Sequence, residues 1–464
     1  MRYLALLLVT GLPLTGCLVG PKYKRPESKS IQSYISANSA AAKDSTGLVA
    51  WTGVYKDPEL TKLIRTVLDS NLDLLNAVSR VEEARATYGI VKADLYPSFG
   101  YKLGTSNYNL GSNSEGTTGQ VVNREAYRGL ATMSWEIDLF GKIRHQKASA
   151  LAQYLASQNN AQAVRVSLIA ETATYYFILR DLDNRLEIAK KTVDLRTASL
   201  KLISDRFTDG YVSELDQLQA KQQLALVEAS VPSIERQIIS TQNALRLLTG
   251  QAPGAISRGN TTYNQGLPTE IPVGLPSELL KRRPDIIAAE QTLISQSEQI
   301  GVAVALRYPS LSLNGMFGLA THSLQSLVDP SSLVVGLSSG LIGPIFEFGK
   351  RKRNVDVQKA RTNQFSYQYQ KTILNAFAEV DNSLAGLRTY SLEYSAKTRQ
   401  LDAASKAYDL IDLRYSNGYS TYLELLNQQD NLLTAQNGES ITKSQQNIAV
   451  VNLFKALGGG WNAK

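Results

Sequence analysis

Twice in this chain, 208 residues apart, apolar side chains recur at alternating spacings of three and four over a long stretch. Leu179, Leu182, Leu186, Ala189, Val193, Arg196, Leu200, Ile203 and Phe207 keep the first frame. Leu387, Tyr390, Tyr394, Lys397, Leu401, Ala404, Tyr408, Ile411 and Tyr415 keep the second. Spacing held for that long predicts helices packed side by side at coiled-coil angles. From Lys142 to Arg206 the helical stretch is roughly 95 Å at 1.5 Å per residue, about three times the hydrocarbon thickness of a bilayer. Helices of that length are built to cross an aqueous space. Both stripes end at a break, Gly210 in "RFTDGYVSELDQLQAK" (206–221) and Gly418 in "RYSNGYSTYLELLNQQ" (414–429). Each reads as the turn of a helix hairpin, where glycine or asparagine is needed.

The breaks belong to a longer duplication. "DLFGKIR" from Asp138 corresponds to "FEFGKRK" from Phe346, "LLTG" at 247–250 to "KALG" at 455–458, and "LYPSFGYKLG" from Leu95 to "RYPSLSLNGM" from Arg307. A repeat this long reads as two similar halves rather than a solenoid unit. Each half predicts a helix, two strands, a long helix, a break and a helix. In the first, Asp57 is the expected N-cap, Pro58 the first helical residue, and one helix is expected over about 59–95 until Pro97 stops it. The helix after the break is expected over about 213–249, bent at Val231 by Pro232. The shorter helices are each about half the long one, so a stacked pair would match it.

Between the helices the period changes to two. In "YRGLATMSWEIDL", Tyr127, Ala131, Met133, Trp135, Ile137 and Leu139 share one face, and Arg128, Thr132, Ser134, Glu136 and Asp138 take the other. The second half alternates more loosely, with Leu311, Leu313, Phe317, Leu337, Leu341 and Ile345 expected outward. Half-buried hairpins of a water-soluble domain show the same alternation. Strand length favours membrane strands, with Trp135 and Phe140 placed for an aromatic girdle. Four strands cannot close a barrel, since the smallest need about eight, so other copies of the chain must complete a ring.

The leader "MRYLALLLVTGLPLTG" has a basic Arg2, an apolar core and a small-residue end, too short to span a bilayer as a mature helix. "LTGC" resembles the bacterial lipobox, in which Cys17, the chain's one cysteine, is acylated. Leu18 is not the aspartate that retains lipoproteins at the inner membrane, so the outer membrane is expected. Lys and Arg exceed Asp and Glu by 49 to 41, scattered along polar helix faces, with "KRKR" at 350–353 the one dense run. A secreted lipoprotein meets no nucleic acid, so phosphate headgroups are the expected neighbours of that charge. No mature stretch is apolar for about eighteen residues, so any span must be a closed barrel.

The chain resembles the TolC-type outer-membrane factors, in the lipoprotein branch that serves resistance-nodulation-division efflux pumps. "VGPKYKRPE", "WTGVYKDPELTKLI", "NLDLLNAVSRVEEARA", "YPSF", "WEIDLFGK", "LLKRRPDIIAAEQTL", "YPSLSL", "PIFEFGKRK" and "RYSNGYSTYLELL" carry the resemblance in family order over nearly the whole mature chain. "RRPDI" at 282–286, with Ala289 and Glu290, is among the more specific. The resemblance implies an α+β membrane protein: a homotrimer whose twelve-stranded β-barrel, four strands per chain, continues into a twelve-helix periplasmic α-barrel. On that reading, 1–16 is the signal peptide and 17–58 an acylated, mostly extended segment. The first repeat is 59–250, with its β-hairpin at about 98–139 and its tip near 210; 251–283 is an equatorial connector. The second repeat is 284–460, with its hairpin at about 310–346 and its tip near 418, and 461–464 is a tail.

The implied role is a passive exit duct for small molecules such as drugs and toxic compounds, working with a periplasmic adaptor (a membrane fusion protein) and an inner-membrane pump. The docking tips would be Gly210, Tyr211, Ser213, Gly418, Tyr419 and Thr421, and the periplasmic gate Arg414, Tyr415, Leu423, Asn427 and Asp430. In relatives the position of Asn427 is often an aspartate that narrows the entrance; its neutrality puts a charged constriction there in doubt. Asp430 either presents three carboxylates to the axis or pairs with a basic group on a neighbouring helix. A protein-secretion duct shares the fold, and a periplasm-spanning tether without a pore shares the helices. A tether needs no alternating strands, and the lipobox favours efflux. His145 and His322 lie far apart, "GLIGPIFEFG" lacks the Lys-Ser/Thr of a phosphate loop, and the carboxylates are scattered. No enzyme, no metal and no cofactor beyond the lipid on Cys17 is expected.

Overall fold

The computed structural model describes residues 17–27, 34–36, 51–110, 122–268 and 276–459. The expected signal peptide, the first hairpin loop at 111–120 and the tail at 461–464 lie outside the described residues. The chain divides into two compact units. One comprises Arg80–Ser157, Ala288–Tyr369 and the described residues up to Glu27; the other comprises Gln158–Ile287, the residues from Gln370 onward and the described part of 28–79.

The first unit contains a single four-stranded antiparallel sheet in the order β1 (Ser98–Leu110), β2 (Val122–Ile137), β3 (Ser310–Thr321), β4 (Leu333–Ile342). Residues paired across antiparallel strands project to the same face. The register places Tyr101 opposite Ala131, Ala131 opposite Phe317 and Phe317 opposite Val335. On either side, Phe99, Met133, Gly315 and Leu337 form one row, and Leu103, Gly129, Leu319 and Leu333 another. One face is therefore apolar across all four strands. The other carries Gly100, Thr132, Met316 and Gly336, then Ser134, Asn314 and Ser338, and is mixed, with Lys102, Leu130, Gly318 and Val334 forming a further row. Phe99, Tyr101, Phe317, Val335 and Leu337 are exposed on the apolar face. The second hairpin is shorter than its expected end at 346: β4 stops at Ile342 ahead of Pro344, so Ile345 lies past the ladder rather than on it. The loop before β4 holds two 3-10 turns, at Leu324–Ser326 and Pro330–Ser332.

The helices follow the predicted order, with three departures. The helix expected over 59–95 is two, α2 (Pro58–Ser70) and α3 (Leu72–Ala93). Asn71 separates them with extended backbone (φ −67°, ψ 126°), its Nδ2 donating to the Leu248 carbonyl at 2.8 Å and its Oδ1 accepting from the Leu74 amide at 3.0 Å. The lead expected to be extended contains a one-turn helix, α1 (Trp51–Val54), because Val54 and Tyr55 enter the core. The connector ends in a helix, α6 (Pro276–Arg282), before α7 (Pro284–Ala305). The long α4 (Lys142–Thr208) and its partner α5 (Glu214–Leu248) appear where expected, and α5 runs through Pro232 as one element. The second pair is α8 (Lys350–Ser416) and α9 (Tyr422–Ala456).

Asp57 explains how the second unit begins. Its carboxylate caps α2 through the Glu59 amide at 2.9 Å, and its other oxygen accepts the Tyr176 hydroxyl at 2.9 Å and the Asn260 amide at 2.8 Å. It is wholly buried, yet every lone pair that matters is used, as burial of a charge demands. Leu60 and Ile64 of α2 then pack with Tyr176 and Phe177 of α4 and Val451 and Phe454 of α9. Burial of each aliphatic side chain contributes about 1.5–3 kcal/mol. Among the described residues no helix is long and apolar enough to cross a membrane.

Candidate functional site

The two helix breaks are built alike. At the end of α4 the Tyr211 amide donates to the Arg206 carbonyl (2.8 Å) and the Gly210 amide to the Phe207 carbonyl (3.0 Å); at the end of α8 Tyr419 donates to Arg414 (2.8 Å) and Gly418 to Tyr415 (3.1 Å). This is the Schellman arrangement, which requires a left-handed residue, and Gly210 (φ +78°) and Gly418 (φ +80°) supply it. Ser213 and Thr421 then cap α5 and α9. The carboxylates of Asp216 and Glu424 reach back to the cap amides at 3.0 and 2.9 Å, closing two capping boxes. Turn chemistry accounts for these four residues. It does not account for Tyr211 and Tyr419, which are 80% and 76% exposed at equivalent positions, or for exposed Leu215 and Leu423.

Behind the tips a small core joins both hairpins: Ile203 of α4, Ala220 of α5, Tyr415 of α8, and Tyr422, Leu425 and Leu426 of α9. The Arg206 guanidinium lies 4.8 Å above the Tyr415 ring, which sits 6.2 Å from the ring of Tyr422. A cation so placed is held by the ring quadrupole and by the dipole at the end of α4. Burial pushes the Tyr415 hydroxyl up, against the pull of Arg206.

One turn further from the tips stands Arg196, 1% exposed. Its Nη1 donates to Gln429 Oε1 and its Nη2 to Asp430 Oδ1, each at 2.6 Å, so two adjacent residues of α9 hold one guanidinium of α4. Asp430 stays 45% exposed on its far side. Of the two arrangements open to Asp430, pairing with a basic group is the one observed. Leu423 and Asn427, on the same side of α9, are exposed. Arg414 donates Nη2 to the Tyr419 carbonyl at 3.3 Å, closing its own turn, while Tyr415 is buried in the shared core. The sequence reading placed Arg196 in an apolar stripe without assigning it a role. A charge inside such a stripe was the available signal, and the same signal marks Lys397.

At the other end of the described chain, Cys17 is an exposed thiol. The segment after it is tied down in the first unit: Arg25 Nε donates to Glu290 Oε1 at 2.6 Å and the Tyr23 hydroxyl to the same oxygen at 3.3 Å. The "RRPDI" stretch is structural. Arg283 binds Glu379 at 2.6 Å, the Ala456 carbonyl at 3.0 Å and both oxygens of Asp285. Among the described residues no group of three or more His, Cys, Asp or Glu is arranged to hold a metal.

The sequence profile of a family described as outer membrane efflux protein matches residues 63–251 and 275–459. Outer membrane protein OprJ of Pseudomonas aeruginosa is 33% identical over 462 residues, covering 98% of this chain and 95% of that one. The solvent efflux pump outer membrane protein SrpC of Pseudomonas putida is 31% identical over 467 residues, covering 100% and 99%. The crystal structure of the Neisseria gonorrhoeae MtrE outer membrane channel in its open state superposes with a TM-score of 0.87 at 28% identity, over 96% of this chain and 98% of that one.

Proposed function

Because the chain belongs to the outer membrane efflux protein family, we propose that three copies of it form a continuous duct for small molecules through the outer membrane and the periplasm. The protein is an outer-membrane efflux channel component. The sheet carries the case for the trimer. Its apolar face runs in register across all four strands and is open to the surroundings, while the opposite face mixes small and polar residues with a few apolar ones such as Leu130 and Val334. That is the lipid-out, lumen-in pattern of an outer-membrane barrel. Among the described residues β1 pairs with β2 alone and β4 with β3 alone, leaving two edges that neighbouring copies would close.

In this reading 17–58 is the acylated segment, with lipid on Cys17. The repeats 59–250 and 284–460 each supply a hairpin to the barrel and a helix pair to the tunnel, and 251–283 forms the belt. The tips around Gly210, Tyr211 and Ser213 and around Gly418, Tyr419 and Thr421 meet a periplasmic adaptor through the exposed tyrosines. The adaptor couples the duct to an energised inner-membrane pump. Arg414, Tyr415, Leu423, Asn427 and Asp430 form the entrance, held by the shared core and the Arg196 clamp. Light scattering of the purified protein tests the assembly: a trimer mass with intact strand content is expected, and a monodisperse monomer with intact strands overturns it. Export is tested by restored resistance to toxic small molecules in cells lacking their own channel.

A further inference from the structure

A groove of about 400 Å³ runs between α4, α5 and α9 in the second unit, away from the tips and the Arg196 clamp. Its floor is Ile178 and Leu182, and its polar groups include Arg185, Asp181, Gln237 and Thr241.

The helix phase of all three elements fixes which way it faces. Arg180 and Asp183 of α4 bind the connector, at Asn260 and Arg258. At 3.6 residues per turn, Ile178 and Arg185 point about half a turn away. Arg246 of α5 binds the connector at Gln251 and Ala255, and Gln237 and Thr241 lie on the opposite side. Glu439 and Asn447 of α9 bind it at Tyr263 and Thr262, and Ile441 and Gln445 face the other way. With the connector as a belt outside the tunnel, the groove opens to the lumen.

Its charges are unevenly satisfied. Asp181 Oδ1 accepts the Ser440 hydroxyl at 2.6 Å. Arg185 reaches Asp181 only at 3.8 Å, beyond hydrogen-bond range, and its buried Nε has no hydrogen-bond partner among the described residues. Burial pushes the Asp181 carboxyl up, against the opposing pull of Ser440 and Arg185. A guanidinium with spare donors above an aliphatic floor matches a planar anion attached to an apolar body.

We propose that this groove is a transit site for anionic amphiphiles, aromatic carboxylates or sulfonates, with Arg185 taking the anion and Ile178 and Leu182 the apolar body. The proposal rests on the duct reading above and names a substrate class for it. Three copies of the chain would present three such sites around one lumen.

The test uses the full protein in nanodiscs of zwitterionic lipid, with naphthalenesulfonate and its neutral twin naphthalenemethanol measured by equilibrium dialysis. The sulfonate is expected to bind better than the alcohol, and Arg185→Gln to lose about tenfold of the sulfonate's affinity with no change for the alcohol. Asp181→Asn, which keeps an acceptor for Ser440 and removes the competing charge, is expected to gain about threefold. Equal binding of sulfonate and alcohol, or an Arg185→Gln protein of native size that binds as the parent does, overturns the proposal. The same preparation in planar bilayers reads the duct by itself. Conductance without sulfonate preference sinks the groove alone, and no conductance at any voltage sinks the duct and the groove with it.

Discussion

Replacing Asp430 by alanine removes one of the two acceptors that hold Arg196, and the structure bounds what that costs. Stripping a fully buried charge of its partner costs about 3–5 kcal/mol. Two features lower the figure. Gln429 keeps its 2.6 Å bond to Nη1, and Asp430 is 45% exposed, so solvent screens the pair from its side. A charge-assisted bond under those conditions is worth about 1–2 kcal/mol. Because the bond joins α4 to α9, its loss falls on the packing of one hairpin against the other, not on either helix alone. Hydrogen exchange of the intact assembly separates these. Amides on both sides of the clamp, near 190–210 and 420–435, should lose protection together by roughly tenfold, since each 1.4 kcal/mol is a factor of ten. A double-mutant cycle with Arg196→Gln sharpens the test, because residues in contact couple and distant ones add. If Asp430→Ala and Arg196→Gln prove additive, or if only α9 amides respond, the clamp does not join the hairpins and the gate is held elsewhere.

Tyr415→Ala should loosen the same region further, by about 3–5 kcal/mol for a buried aromatic, and raise single-channel conductance in planar bilayers; unchanged conductance would detach the shared core from the entrance. Gly418→Ala meets no atom within 4 Å but must adopt φ +80°, at about 1–2 kcal/mol, and limited proteolysis at the tip should accelerate with global stability untouched. Asp57→Ala loses a helix cap and two further bonds, about 2–3 kcal/mol, and should lower the denaturation temperature measured by circular dichroism. The anchoring of the segment after Cys17 should depend on pH. His145 faces two acceptors, Glu298 Oε2 at 2.5 Å and the Val19 carbonyl at 3.0 Å, so both ring nitrogens donate and the imidazolium is favoured. The Glu298 hydrogen bond, helped by the charges of Glu298 and Asp138, raises the His145 pKa above its ordinary value of 6.5. Its stabilisation is therefore full below that value and lost as pH rises through the folded pKa. Protection of amides near Val19, corrected for the intrinsic exchange rate, should fall as pH rises through that folded pKa, and His145→Gln should abolish this loss of protection.

What the residues disclosed before the structure was their periodicity, and periodicity names a face, not its neighbour. Alternation by two placed Ala131, Met133 and Trp135 together on the apolar side, and the observed register agrees. The turn residues at 210 and 418 were legible because few residues tolerate that backbone. Asn71 was not, since asparagine is merely neutral inside a helix and only the Leu248 carbonyl, far off in sequence, makes the break worthwhile. Asp181 and Arg185 look like an ordinary exposed pair at i and i+4 until α5 and α9 enclose them.

The duplication also hides a difference that only packing reveals. Between 173 and 206, α4 buries Ala173, Phe177, Leu179, Leu182, Ala189, Arg196 and Ile203. The equivalent stretch of α8, 381–414, contains no fully buried residue, although its stripe keeps the same frame. Tyr390, Tyr394, Leu401, Ala404 and Tyr408 stay half-buried. One period with unequal burial leaves the α8 stripe only partly covered among the described residues. The stripe of α4 lies between α5 and α9, whereas that of α8 is still open along one side. Half-covered tyrosines suit such a face, because their rings pack against a helix while their hydroxyls remain wet until another surface arrives. In the proposed trimer that surface would be α5 of the next copy, whose Leu218, Leu226 and Ile239 are exposed in the single chain. On that proposal the open stripe on α8 and the open edges of β1 and β4 would have one explanation, a neighbouring copy of the chain.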